Sequence, residues 1–593
     1  MLDEADDLLV SRDTGLTAFN AHGKKVYDIE LESGYIYSLA NTADGKVAAL
    51  VFDINAYKMT VRLIDSTGRK FEDKSFSLDM DAYSLTAGSG SYDLYINTGS
   101  SFFGYDLENE QSSKLFSWID CDLTADRMTA VTVGADGSVK GIFIDYDSDM
   151  AEQTAELVEV KKVPYDAVSE KKHLRLATFY PYDMMMDSVI DFNRAHKDVR
   201  IDLIDYSEYD TDEDSSVGLT KPMTEITAGD MPDILDISPG FPYNRFAANG
   251  MLVDLYPYLE ADPELSEDDF FENILKAVEV NGGLYMANAG CGIYSAVGAA
   301  SVVGDEAGMT YDEYFEALSK MPEGCEGFDV GYDRESALSM SVALEFPKLV
   351  NWSTGECRFD SEDFINILNY AVKFGKFDRE NYEASPEDAS SVRVAEGRQM
   401  LSEVIFTSVD YMLSDYDSMF GGKATVVGFP TSEGAGHMLY LTNGLAITSK
   451  CDIPDIAWEF VRTLFTEDYQ KKQDFIPTNK NIFESELAKA MEVKYLTDAN
   501  GNYRLDENGE RIPRSYGYYY DGTKRVDVYS ITEKQAQMLR TTITDTTRLL
   551  NFDESIDDIV TEGAQAFFEG QRSAEECARL IQSKVNIYVN EQK

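Results

Sequence analysis

The sequence predicts a multidomain chain: an all-β, repeat-built segment over residues 1–165, then an alternating strand–helix α/β part over residues 172–593. Three observations predict this. Short apolar runs separated by Gly-containing turns fill the first part, as in Val47–Phe52 and Thr60–Ile64. Turn glycines there recur at a near-constant interval. At His173 the pattern changes to strands alternating with apolar residues at helical spacing.

The repeat comes first in the chain. Gly45, Gly90 and Gly137 lie about 45 residues apart, and each precedes a strand-like run: 46–53, 91–97 and 138–145. Gly23 and Gly68 share the interval and precede a second kind of run. Strand repeats of this length characterise propeller blades. The segment resembles a β-propeller of the WD40-like or quinoprotein-like kind, without a clean WD signature. At this period about 160 residues make about three and a half blades, fewer than the four to eight that close a propeller. The expectation is an incomplete propeller, with further blades and any export signal encoded upstream. The rival reading is a small self-contained β-sandwich. Residues 146–172, acidic and then charged after Pro164, read as the junction.

In the second part Leu174–Phe179 reads as a strand. Met184–His196 reads as a helix, with Met185, Val189, Ile190 and Phe192 on its apolar face. Val199–Ile204 is the next strand. This is a βαβ unit. A helix around Thr220–Ala228 and a buried strand at Pro232–Ile237 follow. The run Ala228-Gly229-Asp230-Met231-Pro232-Asp233-Ile234 resembles a step of the family 1 extracellular solute-binding proteins, the maltose-binding-protein-like group. Phe246–Leu255 resembles that family's next helix end, with Gly250 as a left-handed cap. Gly444–Lys450, leading to Trp458, Phe460 and Gln470, resembles a later stretch, and Phe475–Lys480 its "g.iP.nk" crossing. Gly570–Ala578 opens the terminal helix in the family's manner. Residues 496–528 depart from the pattern and read as a hairpin insert, with turn signals at Asn500-Gly501 and Asn508-Gly509.

The resemblance implies a two-lobed, periplasmic-binding-protein-like α/β fold with a ligand cleft. Lobe 1 is expected at about 172–287 and 445–475, lobe 2 at about 293–425 and 481–593, with crossing segments between. Loops at strand ends are where such sheets hold ligands. Tyr180 and Tyr182 follow the first strand; Ser238, Phe241 and Tyr243 follow the "DILDI" strand; all occupy family contact positions. Tyr294 lies just past the expected first crossing. Tyr440 and Asn443 lie beside the Gly428–Gly436 loop, and Glu403 lies near a family position for a polar contact. Tyrosine suits a sugar, because its ring packs on C–H faces while its hydroxyl hydrogen-bonds. Trp352 and Trp458 are expected in packing roles.

Composition narrows the function. The formal charge is −55, from 107 acidic against 52 basic residues. With no concentrated basic face, nucleic-acid binding is excluded. Anionic ligands are disfavoured unless a local arginine such as Arg245 compensates. Six cysteines show no CxxC pair, and a Cys325–Cys357 disulfide stays open. The four histidines, at 22, 173, 196 and 437, read as surface residues, so no histidine-rich metal site is expected. HExxH, GxSxG and Walker A runs are absent. The expected function is therefore not enzymatic and needs no cofactor. By the resemblance, a monomeric extracellular protein captures a carbohydrate, with oligosaccharide favoured, and delivers it to an ABC transporter permease. A lipid anchor absent from this chain holds it at the cell surface. Two other readings are carried: a ligand sensor signalling to a membrane partner, and a glycoside hydrolase.

Overall fold

Gly45, Gly90 and Gly137 have φ of 93°, 65° and 78°, the left-handed backbone that tight turns between strands require. The strands they punctuate are seen directly in the computed structural model. It describes all residues except 4, 13, 81, 147–152, 165–170, 211–216, 238–240, 410–418, 435, 443, 499–500, 516, 522–523, 551–552 and 592–593. Two compact units result: Met1–Leu176 with Tyr180–Asp205, and Ala177–Phe179 with Tyr206–Lys593.

The first unit begins with four consecutive antiparallel sheets. They are β1 (Leu8–Arg12), β2 (Gly15–Phe19) and β3 (Lys25–Glu30); β4 (Tyr35–Asn41), β5 (Val47–Asp53), β6 (Lys58–Asp65) and β7 (Lys70–Ser77); β8 (Ala82–Ser89), β9 (Tyr92–Thr98), β10 (Ser101–Asp106) and β11 (Gln111–Ser117); and β12 (Met128–Val133), β13 (Val139–Tyr146) and β14 (Gln153–Val160). The β5 run Val47–Val51 is apolar throughout because it serves two cores. Val47, Ala49 and Val51 pack with Leu16 and Ala18 of the first sheet, while Ala48 and Leu50 pack with Leu85, Leu94 and Ile96 of the third. Sheets buried on both faces lose the alternation of half-exposed strands. Trp118 anchors the next interface, buried against Phe102 and Phe116, its indole N–H donating to Asn97 at 2.6 Å. The repeat thus is one meander sheet per period, face-packed on the next. Among the described residues no strand of the fourth sheet pairs with the first, so a closed propeller is not shown.

The same unit continues through β15 (Lys172–Thr178, its last two residues counted with the second unit), helix α1 (Asp183–Ala195) and β16 (Val199–Asp205). Helix α1 buries Met185, Val189, Ile190 and Phe192, as its periodicity predicts. Asn193 brackets Ile201, accepting from its N–H at 2.7 Å and donating to its carbonyl at 3.1 Å. Arg200 explains why this segment groups with the sheets. Its guanidinium pairs with Asp122 at 2.9 Å and donates to the Asp120 carbonyl at 2.8 Å.

In the second unit helix α2 (Val217–Thr227) precedes β17 (Ile234–Ile237) and α3 (Tyr243–Ala248). Gly250 caps α3 with φ of 67°, the left-handed cap the sequence predicts. Next come β18 (Ala287–Asn288), β19 (Gly290–Ala299), α4 (Tyr311–Ser319), α5 (Arg334–Leu349), α6 (Glu362–Ala371), β20 (Leu401–Phe406), β21 (Ala424–Val426), β22 (Met438–Leu441), β23 (Gly444–Ile447) and α7 (Pro454–Val461). They are followed by β24 (Ile476–Pro477), α8 (Lys480–Met491), the hairpin β25 (Gly517–Asp521) and β26 (Lys524–Val528), α9 (Glu533–Asp545), β27 (Arg548–Leu549), α10 (Glu554–Phe568) and α11 (Ala574–Glu591).

Two sheets organise this unit. One runs β17–β23–β18, antiparallel throughout. The other centres on β19, with β20 on one side, β22 and then β27 on the other, and β21 and β24 also paired to it. Alternate β19 residues enter different cores. Ala296 joins Leu338, Phe364, Val560 and Ile581 of α5, α6, α10 and α11, while Cys291, Ile293 and Val297 join Phe483 and Leu539 of α8 and α9. Trp458 is buried on α7, and Trp352 packs half-buried against the first of these cores.

One open pairing is decided and one expectation needs correcting. Cys325 and Cys357 are free thiols, as are the other cysteines. His437 is buried, not a surface residue. It leads into β22, a central strand, and its Nδ1 lies 2.8 Å from the buried Ser295 hydroxyl.

Candidate ligand-binding site

The chain passes between the two sheets of the second unit at Ala289, at Thr442 and just before β24, which Thr478 follows. These three crossings are hydrogen-bonded into one node. The Asn288 amide donates to the Thr442 carbonyl at 2.6 Å, and the Thr442 N–H to the Gly290 carbonyl at 3.2 Å. The Thr478 hydroxyl lies 3.0 Å from the Asn288 carbonyl, and the Gln473 amide donates to Ala289 at 2.6 Å. Gly290 leaves room for the Gln473 amide, which a Cβ there would meet at 2.6 Å and displace.

Beyond this node register brings three of the expected site residues together. Tyr440 is the cross-strand partner of Gly292, and Glu403 that of Ala296; Tyr294 lies between them on β19. Directly opposed residues share a sheet face, as do residues two apart. Tyr440, Tyr294 and Glu403 therefore line one face, and each keeps part of its surface exposed. Gly292 contributes no side chain between the two tyrosines.

Tyr294 donates its hydroxyl to Glu403 and meets Phe429 edge-on at 4.9 Å. Phe429, Phe328 and Tyr332 continue the aromatic packing below, at 5.9 and 4.3 Å. Burial pushes the Glu403 carboxyl up, the Tyr294 hydrogen bond pulls it down, and nearby Asp329 raises it again. Burial, then the Glu403 charge, raises the Tyr294 phenol. Asp329 is held by the Gln399 amide at 2.6 Å and by Ser390. Tyr440 stacks on Phe475, centroids 6.5 Å apart. The result is a half-open face with two phenol rings and a carboxylate, able to pack a ring and hydrogen-bond hydroxyls. Among the described residues no cluster suited to a metal ion is present.

The other candidates are placed differently. Phe241 is buried and packs on Phe246 at 4.8 Å. Tyr243 is buried too, donating its hydroxyl to the Val278 carbonyl at 2.5 Å. Ser238 and Asn443 lie outside the described residues. Tyr180 and Tyr182 are in the first unit. Tyr180 is 65% exposed with a left-handed φ of 54°, and the Tyr182 carbonyl accepts from Met185 at the start of α1. Arg245 lies over the Phe246 ring at 5.7 Å.

Sequence reasoning missed Asp236. It lies in β17 just before Ile237 and is almost wholly buried, and the Thr178 hydroxyl donates to it at 2.7 Å. Burial pushes its carboxyl up to about 7, against hydrogen bonds from Thr178 and the Phe179 backbone. The available signal was an acid inside an otherwise apolar four-residue strand.

Residues 182–471 match the bacterial extracellular solute-binding proteins. That match spans just under half of the chain. No curated protein matches the chain. Among solved structures, the chain is similar to the sugar-binding protein MalE from Xanthomonas citri, at 12% identity over 71% of this chain and 98% of that one, TM-score 0.47. It is similar to a family 1 extracellular solute-binding protein from Alicyclobacillus acidocaldarius, at 15% identity over 71% and 99%, TM-score 0.43. A third is an ABC substrate-binding protein from Listeria monocytogenes in complex with cycloalternan, at 13% identity over 71% and 99%, TM-score 0.42.

Proposed function

We propose that this solute-binding protein captures a carbohydrate of oligosaccharide size in the second unit, against the Tyr440–Tyr294–Glu403 face, and delivers it to an ABC transporter permease. The observation that carries the reading is the family match of residues 182–471 together with that face beside the crossing node. Ring surface and hydroxyl acceptors on one face suit a pyranose. The net charge of −55 disfavours anionic solutes. Three crossings tied at one node suit two bodies that close about it. No catalytic step is assigned. The site of action is outside the cell, with the protein held at the surface.

A thermal-shift screen of the full chain against mono- and oligosaccharides, amino acids and peptides tests this. The full chain is the proper sample, because the first unit runs on to Asp205. A ligand that binds only the folded state stabilises it by about 2.7 kcal/mol at one hundred times its dissociation constant. The expected result is a shift with one class of oligosaccharide, reduced in Glu403→Gln. A shift with peptides alone refutes the carbohydrate reading.

A further inference from the structure

The exposed tyrosines of the first unit follow the repeat. In β4 the register runs Ile36↔Val51, then Ser38↔Leu50, leaving Tyr37 as the extra residue of a bulge. In β8 it runs Ala82↔Thr98, then Ser84↔Asn97, leaving Tyr83 in the same place. In β12 the register breaks between Thr129 and Thr132. These irregularities keep the about 45-residue period of the turn glycines. A bulge re-aims a side chain, and here both rings are 58% exposed although the sheets are buried between neighbours. The two bulges are adjacent, since the Leu85 N–H donates to the Ser38 hydroxyl at 3.1 Å.

More rings share this end of the sheets. Tyr35, also exposed, is the cross-strand partner of Phe52. Tyr57, in the β5–β6 turn, is 82% exposed and meets Phe52 edge-on at 5.4 Å. Among the described residues no hydrogen bond engages the hydroxyls of Tyr35, Tyr37, Tyr57 or Tyr83. Large exposed aromatic groups at the equivalent bulges of two neighbouring sheets mark a contact surface, whereas the β12 bulge carries Ala130 and Val131.

We propose that this end of the first unit is a second carbohydrate site, one that holds a neutral polysaccharide chain by stacking its pyranose rings on Tyr37 and Tyr83, with Tyr35 and Tyr57 beside them. Three features select this occupant. Tyrosine presents a rigid apolar ring with a polar tip, matching a sugar's C–H face and rim of hydroxyls. A repeat that offers equivalent rings at successive positions matches a polymer of equivalent units, whereas one enclosed pocket would suit a small solute. The charge of −55 repels nucleic acids and acidic glycans, leaving neutral chains. The proposal stands apart from the face in the second unit and does not depend on it.

Native electrophoresis of the full chain in gels cast with soluble β-glucan, xylan, galactomannan or amylopectin tests it. The expected result is retardation by at least one polysaccharide. Tyr37→Ala/Tyr83→Ala should weaken that binding on the order of ten-fold or more, from the loss of two stacked rings. Tyr37→Phe/Tyr83→Phe should retain most of it. Melting should be unchanged in both pairs, as the rings are exposed, and Tyr294→Ala/Glu403→Ala should be retarded like the parent chain. Absence of retardation in every gel overturns the proposal. So does retardation that survives in the Ala pair or disappears in the Tyr294/Glu403 pair. A change of molecular mass in solution on replacing the tyrosines would instead assign the surface to a second copy of the chain.

Discussion

Replacing Asp236 with Asn should change the pH dependence of stability in a defined way. Burial holds Asp236 at about 7, against an ordinary 3.8, so between these values the folded protein keeps a proton that the unfolded chain has released. Stability then falls as pH rises, by about 1.36 kcal/mol per unit and on the order of 4 kcal/mol in all. His437 has the opposite sign. Burial lowers it from 6.5 to about 4, so across that range the unfolded chain binds the extra proton, and stability rises with pH by the same slope. Between about pH 4 and 6.5 the two contributions oppose each other and nearly cancel. Asp236→Asn keeps an acceptor for the Thr178 hydroxyl and removes the ionisation. The variant should match the parent chain near pH 4 and exceed it by on the order of 4 kcal/mol above pH 7. Urea unfolding of both chains at matched pH values, read as the difference between them, cancels the background from the other acids. A difference that stays constant from pH 4.5 to 7.5 would refute the argument.

Four further outcomes follow from the structure. Glu403→Gln should weaken binding of a sugar identified by thermal shift by about ten-fold or more, the scale of a hydrogen bond to a charged group, with melting little changed; isothermal titration reads it. Coupling between Glu403→Gln and Tyr294→Phe in a double-mutant cycle should exceed about 0.5 kcal/mol, because the two side chains share a hydrogen bond. Asn288→Ala removes the bond to Thr442 and should cost about 1–2 kcal/mol, with faster amide exchange confined to the segments around Ala289 and Thr442. The thiols are all pushed up by burial, Cys121 and Cys451 to about 11, so disulfide-exchange labelling at pH 8 should be slow in the native chain and reach all six sites on denaturation.

The sequence by itself determined the element types and much of their order. Apolar spacing located α1 and β16 to within a residue or two, and the turn glycines located the sheets of the first unit, because both signals are local and periodic. The Gly250 cap was equally legible, since only the backbone of one turn is involved. The spaced motifs from Ala228 to Gln470 carried the family resemblance, and they lie within the matched residues 182–471. What sequence could not decide was which side chains meet. Tyr294 and Tyr243 are both tyrosines near strand or helix starts. Yet register leaves one half-open beside Glu403, whereas the packing of α3 uses the other to satisfy the Val278 carbonyl. His437 gives no sign of burial along the chain, and only the pairing of β22 with β19 places it against Ser295. Asp236 owes its raised carboxyl to strands that cover it from distant parts of the sequence. The bulges at Tyr37 and Tyr83 are likewise invisible until one strand is laid against its neighbour. Local conformation depends on neighbours in sequence and can be read there; burial, register and charge environment depend on neighbours in space, and these only the tertiary structure supplies.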